Sequence, residues 1–156
     1  SYGLNVAVSY KNFDLSMFWQ GVADQDIYNN QKFQTDFWSI TDAGSNKGNR
    51  MLNAWTSDNT DSSIPALTTN NTADEGRVST YYVENGSYLK LRTLQLGYNV
   101  PEKFISKLKM SSLRAYISGQ NLLTLKSSSL TCSDPENPSW AYPLATSISF
   151  GLQVGF

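Results

Sequence analysis

The last fifteen residues, YPLATSISFGLQVGF, place an apolar or aromatic side chain at nearly every second position. Counting back from the end gives Phe156, Val154, Leu152, Phe150 and Ile148, then Thr146, Leu144 and Tyr142. Between them stand Gly155, Gln153, Gly151, Ser149, Ser147 and Ala145. A period of two is the mark of a β-strand whose faces meet different surroundings. Four further segments repeat it, so the fold must be built from two-faced strands.

The first two of these segments form a hairpin. Leu4, Val6, Val8 and Tyr10 alternate with small or polar residues, Lys11-Asn12 intervenes, and Phe13, Leu15, Met17 and Trp19 resume the pattern. Pairing Tyr10 with Phe13 across a two-residue turn puts all the apolar side chains on one face. Further on, GSYLKLRTLQLGYNV leads through PEKFISKLKM into SLRAYISGQNLLTL. Pro101 suits the first position of a short helix, and Lys residues crowd its end. Within the first of these strands the apolar parity changes, from Leu89 and Leu91 to Leu94, Leu96 and Tyr98. Either a bulge lies near Arg92-Thr93 or the outer half of the strand faces something other than lipid.

The expected strands are about 4–10, 13–21, 81–99, 112–125 and 142–156, joined alternately by short turns and long polar loops at about 24–79 and 126–141. FQTDFWSI is the one piece of the first loop that suits a short helix. Both long loops fall at one end of an antiparallel meander, which is the pattern of an outer-membrane barrel with spanning strands of about 9 to 11 residues. Lys11-Asn12 and the 101–110 turn then lie on the periplasmic side and the long loops outside. Tyr10, Phe13, Trp19, Tyr98 and Tyr142 near strand ends suit the aromatic girdles of such a wall. A soluble β-sandwich, whose strands also alternate, is the competing architecture.

Charged residues make up 16% of the chain against about 25% in ordinary soluble domains. The 12 basic and 13 acidic residues balance, which gives no reason to expect nucleic acid. No apolar run is long enough for a spanning helix, and no signal peptide is recognisable, so an export signal would lie elsewhere. The single Cys132 excludes an internal disulfide and reads as an incidental loop residue. With no His and no GxSxG nucleophile motif, enzyme chemistry is not expected. Neither a cofactor nor a metal is implied, since Asp134 and Glu136 lack any repeated ligand spacing.

Trp38, Trp55 and Trp140 stand isolated in the polar loops, where each either packs within its loop or offers a face to a substrate or partner. Arg50, Asp58 and Asp61 either bind polar groups or are solvated loop charges. Arg114, Tyr116, Gln120 and Asn121 fit hydrogen bonding within a barrel wall. On the terminal strand, Phe150, Leu152 and Val154 are expected to face lipid, with Ser149, Gly151 and Gln153 pointing inward. Unpaired backbone in hydrocarbon costs several kcal/mol per group, so five strands cannot stand alone in a bilayer. The expected object is therefore the C-terminal part of a larger barrel.

GSYLKLRTLQLGYNVPEKFI, SLRAYISGQNLLTL and YPLATSISFGLQVGF resemble the last strands of the SusC/RagA family of TonB-dependent outer-membrane transporters, and NRMLNAWTSDNTDSSIPAL resembles a loop of that family. The resemblance implies an all-β transmembrane barrel of about 22 strands with a plugged lumen, of which residues 1–156 match the final five. It implies import of glycans or peptides across the outer membrane of a Gram-negative bacterium. A SusD-like surface lipoprotein is the implied partner, and energy arrives from TonB through a region absent from this chain. It further gives Phe156 the role of the terminal aromatic read by the barrel-assembly machinery. A non-transport barrel, such as an adhesin or structural surface protein, is the alternative function.

Overall fold

The computed structural model describes residues 1–37, 46–68, 74, 77–108 and 110–156. These residues divide into two compact units, residues 1–25, 86–127 and 144–156 in one and residues 26–85 and 128–143 in the other.

The first unit is a single antiparallel meander. Strands β1 (Tyr2–Tyr10), β2 (Phe13–Val22), β5 (Tyr88–Asn99), β6 (Ser112–Lys126) and β7 (Ser147–Gly155) pair in the order β1-β2-β5-β6-β7. The chain makes short turns at one end, through Lys11-Asn12 and through residues 100–111, and long excursions at the other. Lys11 takes the left-handed conformation, with φ of 53°, at the first central position of the hairpin turn. In the second short turn Pro101 is the N-cap of α2 (Glu102–Ile105), one position before the helix, where its missing N–H costs nothing. The sheet is open, and β1 and β7 are its edges.

The hairpin register is Tyr10 opposite Phe13, Val8 opposite Leu15, Val6 opposite Met17 and Leu4 opposite Trp19. Between β2 and β5, Phe13 faces Tyr98, Leu15 faces Leu96, Met17 faces Leu94, Trp19 faces Leu91 and Gly21 faces Leu89. The pairing skips Arg92, so the parity change within β5 is a bulge, and Leu89 and Leu91 join Leu94, Leu96 and Tyr98 on one face. Opposite Arg92, β6 carries its own extra residues, Asn121 and Leu122, because Leu91 pairs with Leu123 and Thr93 with Gln120. On β7, Leu152 pairs with Ala115, Phe150 with Ile117 and Ile148 with Gly119.

Apart from Val22, which pairs with Tyr88 on the other side, every strand thus contributes its large aliphatic residues to the same face, and that face is uncovered in this unit. Phe150 is 81% exposed and Leu152 72%. Isolated apolar side chains on a surface are ordinary, but a continuous apolar face across five strands is not. Nine residues of β7 at about 3.4 Å each reach about 30 Å. At a tilt of about 40° this covers about 23 Å, close to the roughly 25 Å apolar band of outer-membrane barrels. At the short-turn end the rings of Phe13 and Tyr98 pack with centroids 4.8 Å apart.

The opposite face is mainly polar, with Phe18 and Tyr116 among its side chains, and its polar groups bond across strands. Arg114 Nε donates to Asp14 Oδ1 at 3.1 Å, its Nη2 pairs with Asp14 Oδ2, and its Nη1 reaches Gln153 Oε1 at 3.2 Å. Gln95 Oε1 accepts from Nη2 at 2.8 Å with its amide oriented toward the guanidinium. This arch from β6 to β2 crosses β5 at Gly97, where any Cβ would lie 2.5 Å from both Arg114 Nη2 and Asp14 Oδ1. Gly151 has the same logic, because the Tyr116 ring lies directly over its backbone. Arg114, Tyr116, Gln120 and Asn121 accordingly belong to the wall: Gln120 sits in the ladder opposite Ser147, and Asn121 Nδ2 donates to the Ala145 carbonyl at 3.1 Å.

The β7 ladder begins at Ser147, five residues after Tyr142. Pro143 has no N–H to place in a ladder, and Tyr142 stands in the other unit rather than on the strand.

If the apolar face meets hydrocarbon, Leu152→Arg costs about 2 to 4 kcal/mol near the midplane, less toward an interface. Gln153→Arg, on the other face, is tolerated. Heat-modifiable folded barrel in isolated outer membranes measures this. Equal yields for the two variants would assign the faces wrongly.

Candidate functional site in the long loops

The two long excursions fold together into the second unit. Its regular pieces are short: β3 (Asp26–Tyr28) pairs with β4 (Val83–Asn85), α1 (Asn30–Asp36) follows β3, and a 3-10 turn covers Asn49–Asn53. Helix α1 takes up the FQTD part of FQTDFWSI; its Asn29 cap accepts from the Lys32 N–H at 3.0 Å. A core of Phe37, Met51, Ala54 and Tyr82, flanked by Tyr28, Phe33, Ile64 and Tyr81, holds the first excursion together. Several of its ring pairs are edge-on, Phe33 with Tyr82 at 5.2 Å and Tyr81 with Tyr82 at 5.0 Å. Ile27, Leu130 and Cys132 form a second small core that draws on both excursions. Cys132 is fully buried and so is a packing residue, not an incidental one.

What joins the excursions most firmly is a buried polar network. The Thr131 hydroxyl lies 2.9 Å from Glu84 Oε1 and accepts from Asn29 Nδ2 and from Arg50 Nη1, each at 2.9 Å. The Thr131 N–H donates to Glu84 Oε2 at 2.9 Å, and Asn29 Nδ2 adds a bond to the same oxygen at 2.8 Å. Lys32 Nζ stands 3.5 Å from Glu84, donates to the Tyr81 carbonyl and lies 4.0 Å over the Tyr81 ring. Arg50 Nε pairs with Asp36 at 3.1 Å; Asp36 is fully buried and also accepts from the Tyr81 hydroxyl at 2.8 Å. Two cations and two anions therefore balance, and each buried carboxylate has several donors, as burial demands.

The titration behaviour follows from these contacts. Burial pushes Glu84 up, but the Thr131 N–H, the Asn29 amide, the Thr131 hydroxyl and Lys32 outweigh it and hold the carboxyl below its ordinary value. Burial first, then the bond to Asp36, push the Tyr81 hydroxyl well above its usual range, which keeps it a proton donor to Asp36.

The residues singled out in the sequence separate on this frame. Arg50 is a clasp residue, held by Asp36 and Thr131, where a solvated loop charge was the simpler expectation. Asp58 and Asp61 are exposed. Trp55 is 44% exposed, and its backbone N–H donates to the Ile64 carbonyl at 2.9 Å. Trp140 is 65% exposed beside Tyr142, which is almost wholly exposed. Trp38 lies outside the described residues. Asp134 is buried and accepts from the Glu136 N–H at 3.0 Å, a local turn, and among the described residues no His, Cys, Asp and Glu side chains converge on a metal site. Phe156 is 94% exposed. Sequence reading missed Asn29, Lys32, Asp36, Glu84 and Thr131. The available signal was Glu84 within STYYVENG, a carboxylate in an aromatic stretch that must find donors if the stretch is buried.

No protein-family model matches the chain. It is 37% identical over 125 residues to TonB-dependent receptor P3 of Formosa agariphila, covering 78% of this chain and 11% of that protein. It is 28% identical over 173 residues to TonB-dependent receptor P26 of the same organism, covering 99% and 17%. Among solved structures, the RagAB peptide importer in its open-open state matches with a TM-score of 0.78 and 26% identity, and in its closed-closed state with 0.77 and 26%. Each covers 99% of this chain and 17% of that one. The chain thus spans about one-ninth to one-sixth of the length of the curated relatives it matches. These relatives are TonB-dependent receptors and a peptide importer rather than enzymes, and they show the class: a TonB-dependent transporter. The chain belongs to the SusC/RagA type of that class, as a portion of a larger transporter.

Arg50→Ala strands the buried Asp36 and should open the loop unit by about 2 to 4 kcal/mol, at the low end of breaking a buried pair because Arg50 is partly solvated. Limited proteolysis of the loops in otherwise folded barrel reads this out. The pH sign follows from Glu84: its pKa is lowered on folding, so its contribution is complete above the ordinary glutamate value and declines as the pH falls through the lowered one. Protection should persist through mildly acidic pH and be lost below it in the native loops, whereas Glu84→Gln should flatten that acid limb. Unchanged proteolysis in Arg50→Ala would remove the clasp.

Proposed function

We propose that this chain forms wall strands and outer loops of a TonB-dependent importer that carries glycans or peptides across the outer membrane of a Gram-negative bacterium. The observation that carries the reading is the five-strand sheet with a continuous apolar face on one side and a satisfied polar face on the other. Such a sheet suits a wall between lipid and a filled lumen. Phe150, Leu152 and Val154 then touch lipid, and Ser149, Gly151 and Gln153 line the interior, where small groups leave room for a plug. Each open edge presents unpaired backbone that costs several kcal/mol per group in hydrocarbon, so β1 and β7 pair with strands outside this chain. A barrel of about 22 strands, of which these are the last five, satisfies that demand.

In this account the loop unit lies outside the cell and meets a SusD-like surface lipoprotein or the substrate through Trp55 and Trp140, with Trp38 a further candidate. TonB acts through a region that this chain does not include. Phe156 serves as the terminal aromatic recognised during barrel assembly. Its deletion should lower folded barrel in the outer membrane by more than its single side chain explains, without altering the loops of the fraction that assembles.

The function is tested by uptake of labelled oligosaccharides and peptides into cells carrying the full transporter. Uptake of at least one class should disappear when TonB is removed. Uptake that is indifferent to TonB, or absent for both classes, would favour a non-transport surface barrel such as an adhesin.

A further inference from the structure

The second excursion ends in an arm, Pro138–Pro143, whose start is pinned to α1. Gln31 Nε2 donates to the Ser139 carbonyl at 2.7 Å and to the Ser133 hydroxyl at 2.9 Å, the Gln31 N–H donates to the Pro138 carbonyl at 3.3 Å, and Gln31 Oε1 accepts from the Ser133 N–H at 2.9 Å. Beyond this anchor the arm lines an open hollow of about 520 Å3 with Trp140, Ala141, Tyr142 and Pro143, closed on its other side by Gln31 and Ser133. That volume lies within the range of small-ligand sites.

Three features of the hollow select a ligand chemistry. Trp140 and Tyr142 are two residues apart and strongly exposed, at 65% and 98%. Among the described residues no charged side chain lines the hollow, so they offer neither a charged peptide nor an anionic sugar a counter-ion there. The polar groups present are an amide and a hydroxyl. Gln31 is spent on the anchor, while the Ser133 hydroxyl, having accepted from Gln31, keeps a proton to donate.

Flat aromatic faces beside a few neutral hydrogen-bonding groups match the two-sided chemistry of a sugar ring, with C–H groups on its faces and hydroxyls at its edge. We propose that this hollow is a binding subsite for a neutral oligosaccharide, in which Trp140 and Tyr142 stack on sugar rings and Ser133 bonds a ring hydroxyl. Binding costs less ordering than for a free loop, because the start of the arm is already fixed by Gln31. The proposal rests on the reading of the chain as part of an importer and names the substrate class for these loops.

The test uses the full transporter chain purified in detergent, titrated calorimetrically with maltodextrin, xylo-oligosaccharides, laminari-oligosaccharides and manno-oligosaccharides, and separately with a mixture of uncharged synthetic peptides. At least one of these glycans should bind, with little dependence on salt. Trp140→Ala should weaken that binding about fivefold to tenfold, the size of one lost aromatic contact. Trp140→Phe should recover most of it, and protease resistance of the loops should not change, since Trp140 is largely exposed. Glycan binding unaffected by Trp140→Ala, absence of binding to every glycan, or Trp140-dependent binding of the peptides instead would each overturn the assignment. The importer reading fails separately: TonB-independent uptake alongside Trp140-dependent glycan binding would sink transport and leave the subsite standing.

Discussion

The fold depends on one local irregularity, the bulge that sets Arg92 of β5 against Asn121 and Leu122 of β6. A one-residue slip in a strand exchanges its two faces. In a regular strand that kept Arg92 in the pleat, Leu89 and Leu91 would fall on the polar side while Leu94, Leu96 and Tyr98 stayed on the apolar one. The bulge absorbs the parity change and is itself stabilised on the polar face, where Arg92 Nε donates to Gln20 Oε1 at 2.9 Å. Asn121 takes the left-handed conformation that the break requires, with φ of 52°, and Asn tolerates it better than most residues.

Once the faces are sorted, each solves a different electrostatic problem. The apolar face carries few polar groups, and the Trp19 indole N–H among them donates to Met17 Sδ at 3.2 Å. The polar face must satisfy its own groups across strands, and the Asp14–Arg114 arch over Gly97 does so with a glycine where a side chain would block the path. The loop unit reaches the same end by burial: Asp36 pairs with Arg50, Glu84 is held by Lys32, Asn29 and Thr131, and the clasp converts two polar excursions into one folded body. A preformed body presents its exposed aromatic residues at lower entropic cost than two independent loops would.

The sheet was largely legible in the sequence because strand periodicity is a local property: the hairpin register follows from Tyr10 and Phe13 flanking Lys11-Asn12, and the bulge from a parity count around Arg92. The loop unit was not legible, because its determinants are distant in the chain. Thr131 meets Glu84 from 47 residues away and Asn29 from 102, and no local pattern announces either contact. Arg50 looked like a solvated charge for that reason. The aromatic arm stood in between: Trp140 was conspicuous as an isolated Trp, but Tyr142 looked like part of the terminal strand until Pro143 and the start of the ladder at Ser147 separated them.

The central claim is that one face of this sheet meets lipid. Nitroxide labels placed singly at Ile148, Ser149, Phe150, Leu152, Gln153 and Val154 of the full transporter in bilayers test it through collision with dissolved oxygen, which partitions into hydrocarbon, and with a water-soluble nickel chelate. Labels at Ile148, Phe150, Leu152 and Val154 should be relaxed chiefly by oxygen, and those at Ser149 and Gln153 should show no such preference, giving an oscillation of period two. Strong relaxation by the nickel chelate at Phe150 and Leu152 would contradict it and return the sheet to a soluble sandwich.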